Sequence, residues 1–536
     1  MSEENQNNII IGDCAVKCIE DVSLTRRIAT CARVCYKSEV EPSDESDKKL
    51  IQNCIKQGHE SVLEHGAMSV FLPVNITDDG NHIMTVLRDQ KNTRVIFRNE
   101  YEAFPTIAMR RWSTEYYDIE LGKNHLDDLE YNMKKDLPAG EHPMLPVVLA
   151  DIRAWRRIVG ERLYLSGGPM RDTLSFVITV AVLNALYKAE PVFFEDMYNR
   201  LNENLAATSV DTESKDPMIK EVFNKLPADN RTVDGFMKTF FPNNQNCIFA
   251  GEASKTAFVT FMVTANRSVT HQLVRHRQDV AYSQESQRWV NYDKKGMCVT
   301  QPIVDTAKIT DDSKLNFVDK TTGKLNEDSD AYKAWKEAME NAYASYKKLL
   351  DLGLPPETAR GVLPNDCQTT IAVTWLTPTG FTNFMHWRNE KHAQIQIRQI
   401  ADQMLLQVLG KPYGNMIDPS LVLVWLKNIE DQKVLPDLTT EKLEEFRKYQ
   451  TERINAITEY DKKRHEEMEK RQKEKEENER SGIKVQDTQT THNPDYAPKG
   501  EINLCGHNNN PPQGDSDVQE RPLTVDIEKI EVKDKE

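Results

Sequence analysis

The chain has 536 residues with 39% hydrophobic content, which is enough for about two to four domains with buried cores. Its net charge of −15 argues against general binding to nucleic acid. No apolar run reaches the roughly 18 residues that span a bilayer, and the first residues lack a secretory signal pattern. Nine scattered cysteines favour reduced thiols and a cytoplasmic protein.

Two C-x3-C pairs, Cys14/Cys18 and Cys31/Cys35, open the sequence. Cysteine pairs that bind structural zinc are often separated by two residues and lie in turns, whereas these cysteines fall in segments with strand and helix character. Ordinary buried cysteines are therefore favoured over a zinc site, and no metal is predicted. Residues 23–36 and 47–58 follow as helices, the second ending at Gly58.

The motif GHESVLEH, residues 58–65, precedes an apolar, strand-like run. Ser61 followed three residues later by Glu64 is the pattern of a capping box at a helix start. A helix N-terminus also favours anions, so a cap and a cofactor contact can coexist here.

Residues 74–254 are far too long for a loop and contain apolar faces, so we predict an inserted subdomain. Within it, residues 94–104 favour a strand, and residues 149–165 and 172–189 favour helices. The first of these helices carries four arginines, at positions 153, 156, 157 and 162. The sequence assigns the insertion no function.

Residues 257–263 predict a buried strand, and Asn266 predicts the start of a helix over residues 267–277. On that helix Arg267, His271 and Arg275 would share a face, and residues 279–287 predict a loop. Arginines beside loop hydroxyls and amides suit an anionic ligand, although a solvated basic face is the simpler alternative.

The run 275–277 is Arg-His-Arg, and an eight-residue spacer separates it from Ser286 and Arg288. This pattern, with the flanking words THQLVRHR and YSQESQRW, resembles the signature of the flavin-dependent thymidylate synthases. GHESVLEH resembles the second signature of that family. The resemblance covers about residues 22–73 and 255–430.

Farther along, residues 331–353 predict a helix that ends at Gly353, and Pro355-Pro356 predict another helix start. Arg360, three residues before Leu363-Pro364, is similar to the arginine of the family's ARxxLP motif, which reaches the nucleotide phosphate in a neighbouring subunit.

Residues 380–409 predict one long helix, apolar on two faces. Arg388 and His392 project from an apolar face, together with Phe381, Phe384 and Met385. A buried arginine is destabilising unless paired, so Arg388 forms either a structural pair with a carboxylate or a contact with a ligand. The chain departs from the family just before this helix, where Thr377-Pro378-Thr379 stands in place of an Asn-x-Arg pair.

The resemblance implies reductive methylation of dUMP to dTMP, with methylenetetrahydrofolate as carbon donor, FAD as flavin and NADPH as reductant. It implies catalytic roles for Arg388 and Ser286 and a folate-side position for His59. The implied dUMP-binding residues are Gln272, Arg275, Gln284, Glu285, Ser286, Gln287, Arg288, Arg360 and Arg388. The implied FAD-binding residues are Ser61, Glu64, Arg275, His276, Arg277, Gln284, Asn383 and His392. A homotetramer with shared active sites is also implied, with no membrane or nucleic-acid partner.

Charged residues dominate 436–480, which predicts a solvated helix or a coiled coil, and the composition of 481–536 predicts disorder. The resulting fold is α+β: an antiparallel sheet with helices, a large insertion and a disordered tail. Its parts are residues 1–73 and 255–435 as the synthase core, 74–254 as the insertion, 436–480 as the charged helix and 481–536 as the tail. A non-catalytic nucleotide-binding relative without flavin chemistry is the alternative function.

Overall fold

The computed structural model describes residues 9–36, 41–71, 93–98, 145–162, 173–207, 226, 228–240, 249–252, 258–309, 311 and 315–480. The predicted disordered tail, 481–536, lies outside these ranges. Within them, helices and antiparallel sheets are mixed. No described helix is both long enough and apolar enough to cross a membrane.

Within the described ranges, ten strands form three sheets. The strands are β1 Ile10–Gly12, β2 Ala15–Ile19, β3 Ala67–Phe71, β4 Thr93–Arg98, β5 Leu145–Asp151, β6 Phe249–Glu252, β7 Val259–Asn266, β8 Val280–Gln284, β9 Cys298–Thr300 and β10 Gln368–Trp375. One antiparallel sheet has the order β2-β7-β10-β8, and a second has the order β4-β5-β3-β6. The short strands β1 and β9 pair in parallel.

The α-helices flank these sheets. They are α1 Leu24–Tyr36, α2 Asp44–Lys56, α3 Ile152–Arg162, α4 Thr173–Ala189, α5 Pro191–Ala207, α6 Val233–Phe240, α7 Arg267–Leu273, α8 Tyr292–Lys295, α9 Asp330–Asp351, α10 Pro356–Ala359, α11 Pro378–Arg388, α12 Ile395–Val408, α13 Pro419–Gln432 and α14 Thr440–Arg480. Short 3₁₀ helices lie at Glu60–His65, Ala228–Asn230, Thr306–Lys308, Arg360–Val362 and Gly414–Met416.

The sheet β2-β7-β10-β8 is covered by α11, α12 and α13. Phe261 of β7 and Trp375 of β10 are fully buried against Phe381 and Phe384 of α11. Burial of large aromatic side chains contributes much of the stability of such a core. The strand predicted before residue 266 is confirmed as β7, and the predicted helix start after Asn266 is confirmed as the start of α7.

The sheet β4-β5-β3-β6 belongs with the segment predicted as an insertion. Its central strand β3 comes from the N-terminal part, whereas its neighbours β5 and β6 come from residues 74–254. A single hydrophobic core joins Leu24 and Ile28 of α1 to Trp155 of α3 and Phe194 of α5. The described elements of residues 74–254 therefore complete the N-terminal part's sheet and core and do not pack as a separate body.

The single helix predicted over residues 380–409 is wrong, because two helices, α11 and α12, take its place. Asn389 caps the end of α11. Its side-chain amide donates to Asp402 Oδ1 at 2.8 Å, and its carbonyl accepts from Gln432 Nε2 at 2.8 Å. These contacts fix residue 389 at the end of α11, and the chain does not resume a helix until Ile395. His392 lies in the exposed connection between the helices and does not share a helix face with Arg388.

Three predictions are confirmed: the helix end at Gly353, the helix start at Pro355-Pro356 and the helix in the charged segment. Helix α9 ends before Gly353, which has a φ of 89°. Helix α10 begins with Pro356 at its first position. The charged segment forms α14, whose first half packs on α13 through the buried Leu443 and the partly buried Phe446.

Candidate active site

Helix α7 is shorter than predicted, and this changes the geometry of the basic cluster. It ends at Leu273, and Arg275, His276 and Arg277 follow in a turn. The Tyr282 hydroxyl lies 2.6 Å from the carbonyl oxygen of Leu273 and 3.0 Å from that of His276, so its one hydrogen bonds a carbonyl that a longer helix would have used. The predicted shared helical face of Arg267, His271 and Arg275 is therefore wrong.

The loop predicted over residues 279–287 is also wrong in its first half. Residues Val280–Gln284 form β8, an edge strand paired with Ile371–Trp375 of β10. Pairing with a buried strand supplies backbone hydrogen bonds that the local sequence pattern does not reveal. The strand fixes Gln284, whose amide donates to Thr270 Oγ1 of α7 at 2.9 Å.

Arg388, at the last position of α11, meets the Arg-His-Arg turn. Its Nε donates to His276 Nε2 at 2.9 Å. Nη1 and Nη2 make longer contacts of 3.4 and 3.5 Å with the side-chain oxygen and the carbonyl of Gln272. No carboxylate of the described ranges forms an ion pair with Arg388. The alternative of a structural Arg–carboxylate pair thus lacks a partner in this part of the chain.

The electrostatics of this contact favour a further anionic or polar partner. Burial and the nearby Arg275 lower the pKa of Arg388 from its ordinary value. Burial and the charge of Arg388 lower the pKa of His276 to about 4, so the imidazole is neutral at pH 7 and accepts the hydrogen bond. The His276 ring packs edge-on against Phe384, with centroids 5.1 Å apart. The cluster carries excess positive charge that an anionic ligand would balance.

Of the other predicted polar residues, Arg275 lies near enough to Arg388 to affect its pKa. Arg275 and Arg277 are exposed, and neither forms a hydrogen bond or ion pair within the described ranges. Asn383 is half-buried on α11, and His392 is exposed. Gln272 donates to Gln394, which in turn donates to Gln396 Oε1 at 2.9 Å. Gln394 is not among the residues predicted from the sequence, where its position two residues after His392 was the available signal.

Glu285, predicted to bind the nucleotide, is buried. Its Oε1 accepts a hydrogen bond from the Tyr292 hydroxyl at 2.7 Å, and its backbone carbonyl accepts from Arg267 at 3.2 Å. Only 3% of the residue is exposed. The side chain faces the small core around Tyr292 and Tyr346 and not the basic cluster.

Ser286, Gln287 and Arg288 follow at the end of β8. The Ser286 amide donates to the carbonyl of Cys35 at 3.0 Å, and its hydroxyl accepts from the Arg288 amide at 3.3 Å. Gln287 lies 3.8 Å from the Cys367 thiol. These contacts fix the backbone of the turn and leave the Ser286 side chain half-buried.

Arg288 and Arg360 are brought together by Glu357. Arg288 Nε lies 2.8 Å from the Glu357 carboxylate, and Arg360 Nε donates to the Glu357 carbonyl at 3.1 Å. Both arginines are exposed. Arg288, Arg360 and Glu357 thus form a second basic group, whose hydrogen-bond and ion-pair partners differ from those of Arg388.

GHESVLEH forms a 3₁₀ helix, Glu60–His65, and the predicted capping box at Ser61 is wrong. Ser61 lies inside this helix and is exposed, and the preceding residue, His59, makes no side-chain cap. The Glu64 carboxylate pairs with Arg153 of α3 at 2.5 Å. His59, Ser61 and Glu64 therefore stand on one short segment at the edge of the N-terminal core.

His65, the last residue of GHESVLEH, has no predicted role and lies in the core. It is fully buried, and its Nδ1 and Nε2 lie 2.8 Å from Thr374 Oγ1 and 2.9 Å from Ser283 Oγ. Thr374 in turn lies 2.9 Å from Thr260. Burial lowers the pKa of His65 to about 3, so the ring stays neutral. His65 thus ties the motif to β8 and β10; its place inside the quoted motif was the available signal.

The Thr377-Pro378-Thr379 departure has a structural role. Thr377 caps α11 by accepting from Gly380 N at 3.2 Å, and its hydroxyl donates to Asp279 Oδ2 at 2.9 Å. A Cβ on Gly380 would lie 2.5 Å from the carbonyl oxygen of Gln278. The N-terminus of α11 and the segment after the Arg-His-Arg turn are therefore in direct contact.

Metal ligation has no support in the described ranges. No group of three or more His, Cys, Asp or Glu side chains there is arranged to hold an ion. The seven cysteines described are free thiols, and burial raises the pKa of Cys18 and Cys31 to about 12. Such thiols are poor nucleophiles.

Comparison with known proteins identifies the family. The family model described as thymidylate synthase complementing protein matches residues 20–76 and 200–411, half of the chain. The chain therefore belongs to this family. The matched parts leave residues 77–199 unmatched, a shorter segment than the 74–254 predicted from the sequence.

Several relatives are named flavin-dependent thymidylate synthase. The protein of Geobacter sulfurreducens is 32% identical over 145 residues, covering 27% of this chain and 53% of its own length. That of Pyrococcus furiosus is 31% identical over 150 residues, covering 28% and 53%. That of Clostridium tetani is 32% identical over 177 residues, covering 30% and 61%. The chain thus spans about half the length of these relatives.

A solved structure also matches: the UMP/dUMP methylase PolB from Streptomyces cacaoi, bound with 5-Br UMP. The two are 22% identical, with a TM-score of 0.23, and the match covers 29% of this chain and 70% of that one.

Proposed function

We propose that this chain is a flavin-dependent thymidylate synthase, which converts dUMP to dTMP with methylenetetrahydrofolate as carbon donor and NADPH as reductant. The observation that supports this best is the contact of Arg388 with His276. It places a partly buried guanidinium, without a carboxylate among the described residues, beside the Arg-His-Arg turn. Family membership and the names of the relatives support the same activity.

In this proposal Arg388 stabilises negative charge that develops on the pyrimidine ring. His276 holds Nε, which orients the guanidinium plane, while the long contacts of Nη1 and Nη2 with Gln272 are readily exchanged for a ligand oxygen. A donor fixed in this way needs little reorganisation when charge develops, which is the main source of electrostatic catalysis. No cysteine nucleophile is required.

The dUMP phosphate would bind the second basic group. Arg288 and Arg360 are both exposed and share Glu357, and Ser286 adds a hydroxyl. Arginine forks hold phosphate bidentately. As the family resemblance implies, we propose that two subunits of a homotetramer build each complete site. Gln284 and Gln287 would line the nucleotide, whereas the buried Glu285 would support the turn.

FAD would supply the hydride when bound, and the donor set fits it. The exposed Arg275 and Arg277 suit its diphosphate, and Ser61, Glu64, His276, Asn383 and His392 offer further polar contacts. His59 would face the folate. The adenine end has less support, because Thr377 is occupied with capping α11 and bonding Asp279. The cytoplasmic location belongs to this proposal, in keeping with the free thiols.

The competing function is a nucleotide-binding relative without flavin chemistry. A visible spectrum of the purified full-length chain incubated with excess FAD, followed by gel filtration, separates the two. We expect a yellow protein that forms dTMP from dUMP when folate and NADPH are supplied. A colourless protein that still binds dUMP would refute the enzymatic proposal and favour the alternative.

A further inference from the structure

The 3₁₀ helix Glu60–His65 carries the proposed flavin contacts but has little stability of its own. It is six residues long, whereas 3₁₀ runs beyond three or four residues are uncommon because their hydrogen bonds are poorly aligned. No side chain caps its start at His59. Something outside the motif must therefore hold its shape.

Helix α3, from the segment that the family model does not match, packs on this 3₁₀ helix. The Ile152 amide donates to the Gly66 carbonyl at 2.9 Å, and the Trp155 indole donates to the Met68 carbonyl at 2.9 Å. Trp155 is fully buried. These two contacts fix the start of α3 against the chain immediately after the motif.

Two arginines on α3 then reach the acidic residues of the motif. Arg153 and Arg156, three residues apart on one face of α3, pair with Glu64 at 2.5 Å and Glu60 at 2.9 Å. They differ in exposure: about half of the Arg153 side chain is exposed, but only 7% of the Arg156 side chain. Arg156 is therefore the fixed member of the pair.

Arg156 is itself held from the other side by α5. Its Nη1 and Nη2 donate to Asp196 Oδ1 and Oδ2 at 2.7 and 2.8 Å, and Nη1 also donates to the Phe193 carbonyl. Its Nε donates to Glu60 Oε1 at 3.0 Å. The Arg156 guanidinium therefore links Asp196 of α5 to Glu60 of the motif, so the position of α5 constrains the position of the 3₁₀ helix.

We infer that Arg156 is a positioning residue, which sets the 3₁₀ helix Glu60–His65 so that Ser61 and Glu64 meet the flavin. This rests on the proposed function, and it gives the α3–α5 segment a role in that function. Arg156 acts through Glu60 and does not itself contact the ligand.

The experiment measures the dissociation constant of FAD by flavin fluorescence in the full-length chain, with urea unfolding of the same samples. Glu60→Gln is the main variant, because it removes the carboxylate charge that pairs with Arg156 and leaves the Arg156–Asp196 pair in place. Arg156→Lys is the second, since a point charge cannot hold both carboxylates. Glu430→Gln is the matched control: it breaks a partly exposed pair with Arg447 between α13 and α14.

We expect Glu60→Gln and Arg156→Lys to weaken FAD binding about tenfold or more, as a small displacement of contacting groups does. dTMP formation at saturating FAD should recover, and Glu430→Gln should bind FAD like wild type. Amide hydrogen exchange at residues 60–65 should rise in Glu60→Gln while global unfolding changes little. Wild-type affinity in Glu60→Gln would overturn the inference alone, whereas a wild-type chain that binds no FAD would overturn the proposed function and the inference together.

Discussion

The Nε of Arg388 donates to Nε2 of His276 at 2.9 Å, so the last residue of α11 and the middle residue of the Arg-His-Arg turn are hydrogen-bonded partners. A neutral imidazole is required at the acceptor, and the lowered pKa of His276, about 4, provides it. The arrangement leaves the guanidinium charge without a counter-ion in the described ranges and ready for a ligand.

Arg388→Ala should lower dTMP formation per folded molecule by about 10²- to 10³-fold, comparable to the loss of an oxyanion donor. FAD binding and the fold should survive, because no carboxylate among the described residues loses an ion pair. Arg388→Lys should also be poor, since an ammonium cannot reproduce the fork. Turnover and thermal unfolding are measured on the same samples. A large drop in melting temperature with unchanged turnover per folded molecule would make Arg388 a structural residue.

Stability should fall as the pH drops below 6.5, in part because of His65. Burial lowers its pKa from 6.5 to about 3, so between these values the unfolded chain binds a proton that the folded chain does not. The linked loss at pH 5 is about 2 kcal/mol. His65→Gln keeps a donor and an acceptor but does not titrate. Urea unfolding at pH 7.5 and pH 5 should therefore show a smaller pH dependence in this variant; an equal dependence would contradict a buried neutral His65.

Glu357→Gln should tighten dUMP binding by about two- to fivefold, because it frees Arg288 from an exposed ion pair of modest strength. Calorimetric titration with dUMP in the presence of FAD measures this. Glu445→Gln, which breaks the exposed pair with Lys442 on α14, is the control and should not change dUMP affinity. Weaker dUMP binding in Glu357→Gln would mean that the carboxylate orients Arg288 for the ligand.

A chain that stops after Arg480 should keep full dTMP formation, because residues 481–536 lack the apolar content to join a core. Removal of α14 as well should be destabilising by about 3 kcal/mol or more, since Leu443 is buried in the core beside α13. Arg453 of α14 also donates to the carbonyl of Ile417 at 3.1 Å. Thermal unfolding and dTMP formation of both truncated chains test this. If the chain that ends at Arg480 folds well but is inactive, residues 481–536 contribute to the active site.

Local sequence patterns predicted several of the helix and strand boundaries correctly. The apolar run before Asn266, the Asn266 cap, the Gly353 stop and the Pro355-Pro356 start all appear where the sequence indicated, because each depends on side chains within a few residues. The family resemblance, which depends on short words such as THQLVRHR and GHESVLEH, was likewise confirmed by the family match.

Tertiary contacts decided what the sequence could not. The Tyr282 hydroxyl contacts the last carbonyl of α7, and Asn389 divides the predicted long helix by bonding Asp402 and Gln432, 13 and 43 residues farther along the chain. The partners of Arg388, the burial of Glu285 and the hold of Arg156 on Glu60 arise in the same way. The sequence by itself determined which side chains were available and where helices could start, because these are local preferences. Only the folded chain decided which of them meet, because contacts such as Arg388–His276 and Arg156–Glu60, between residues 112 and 96 positions apart, leave no periodic trace in the sequence.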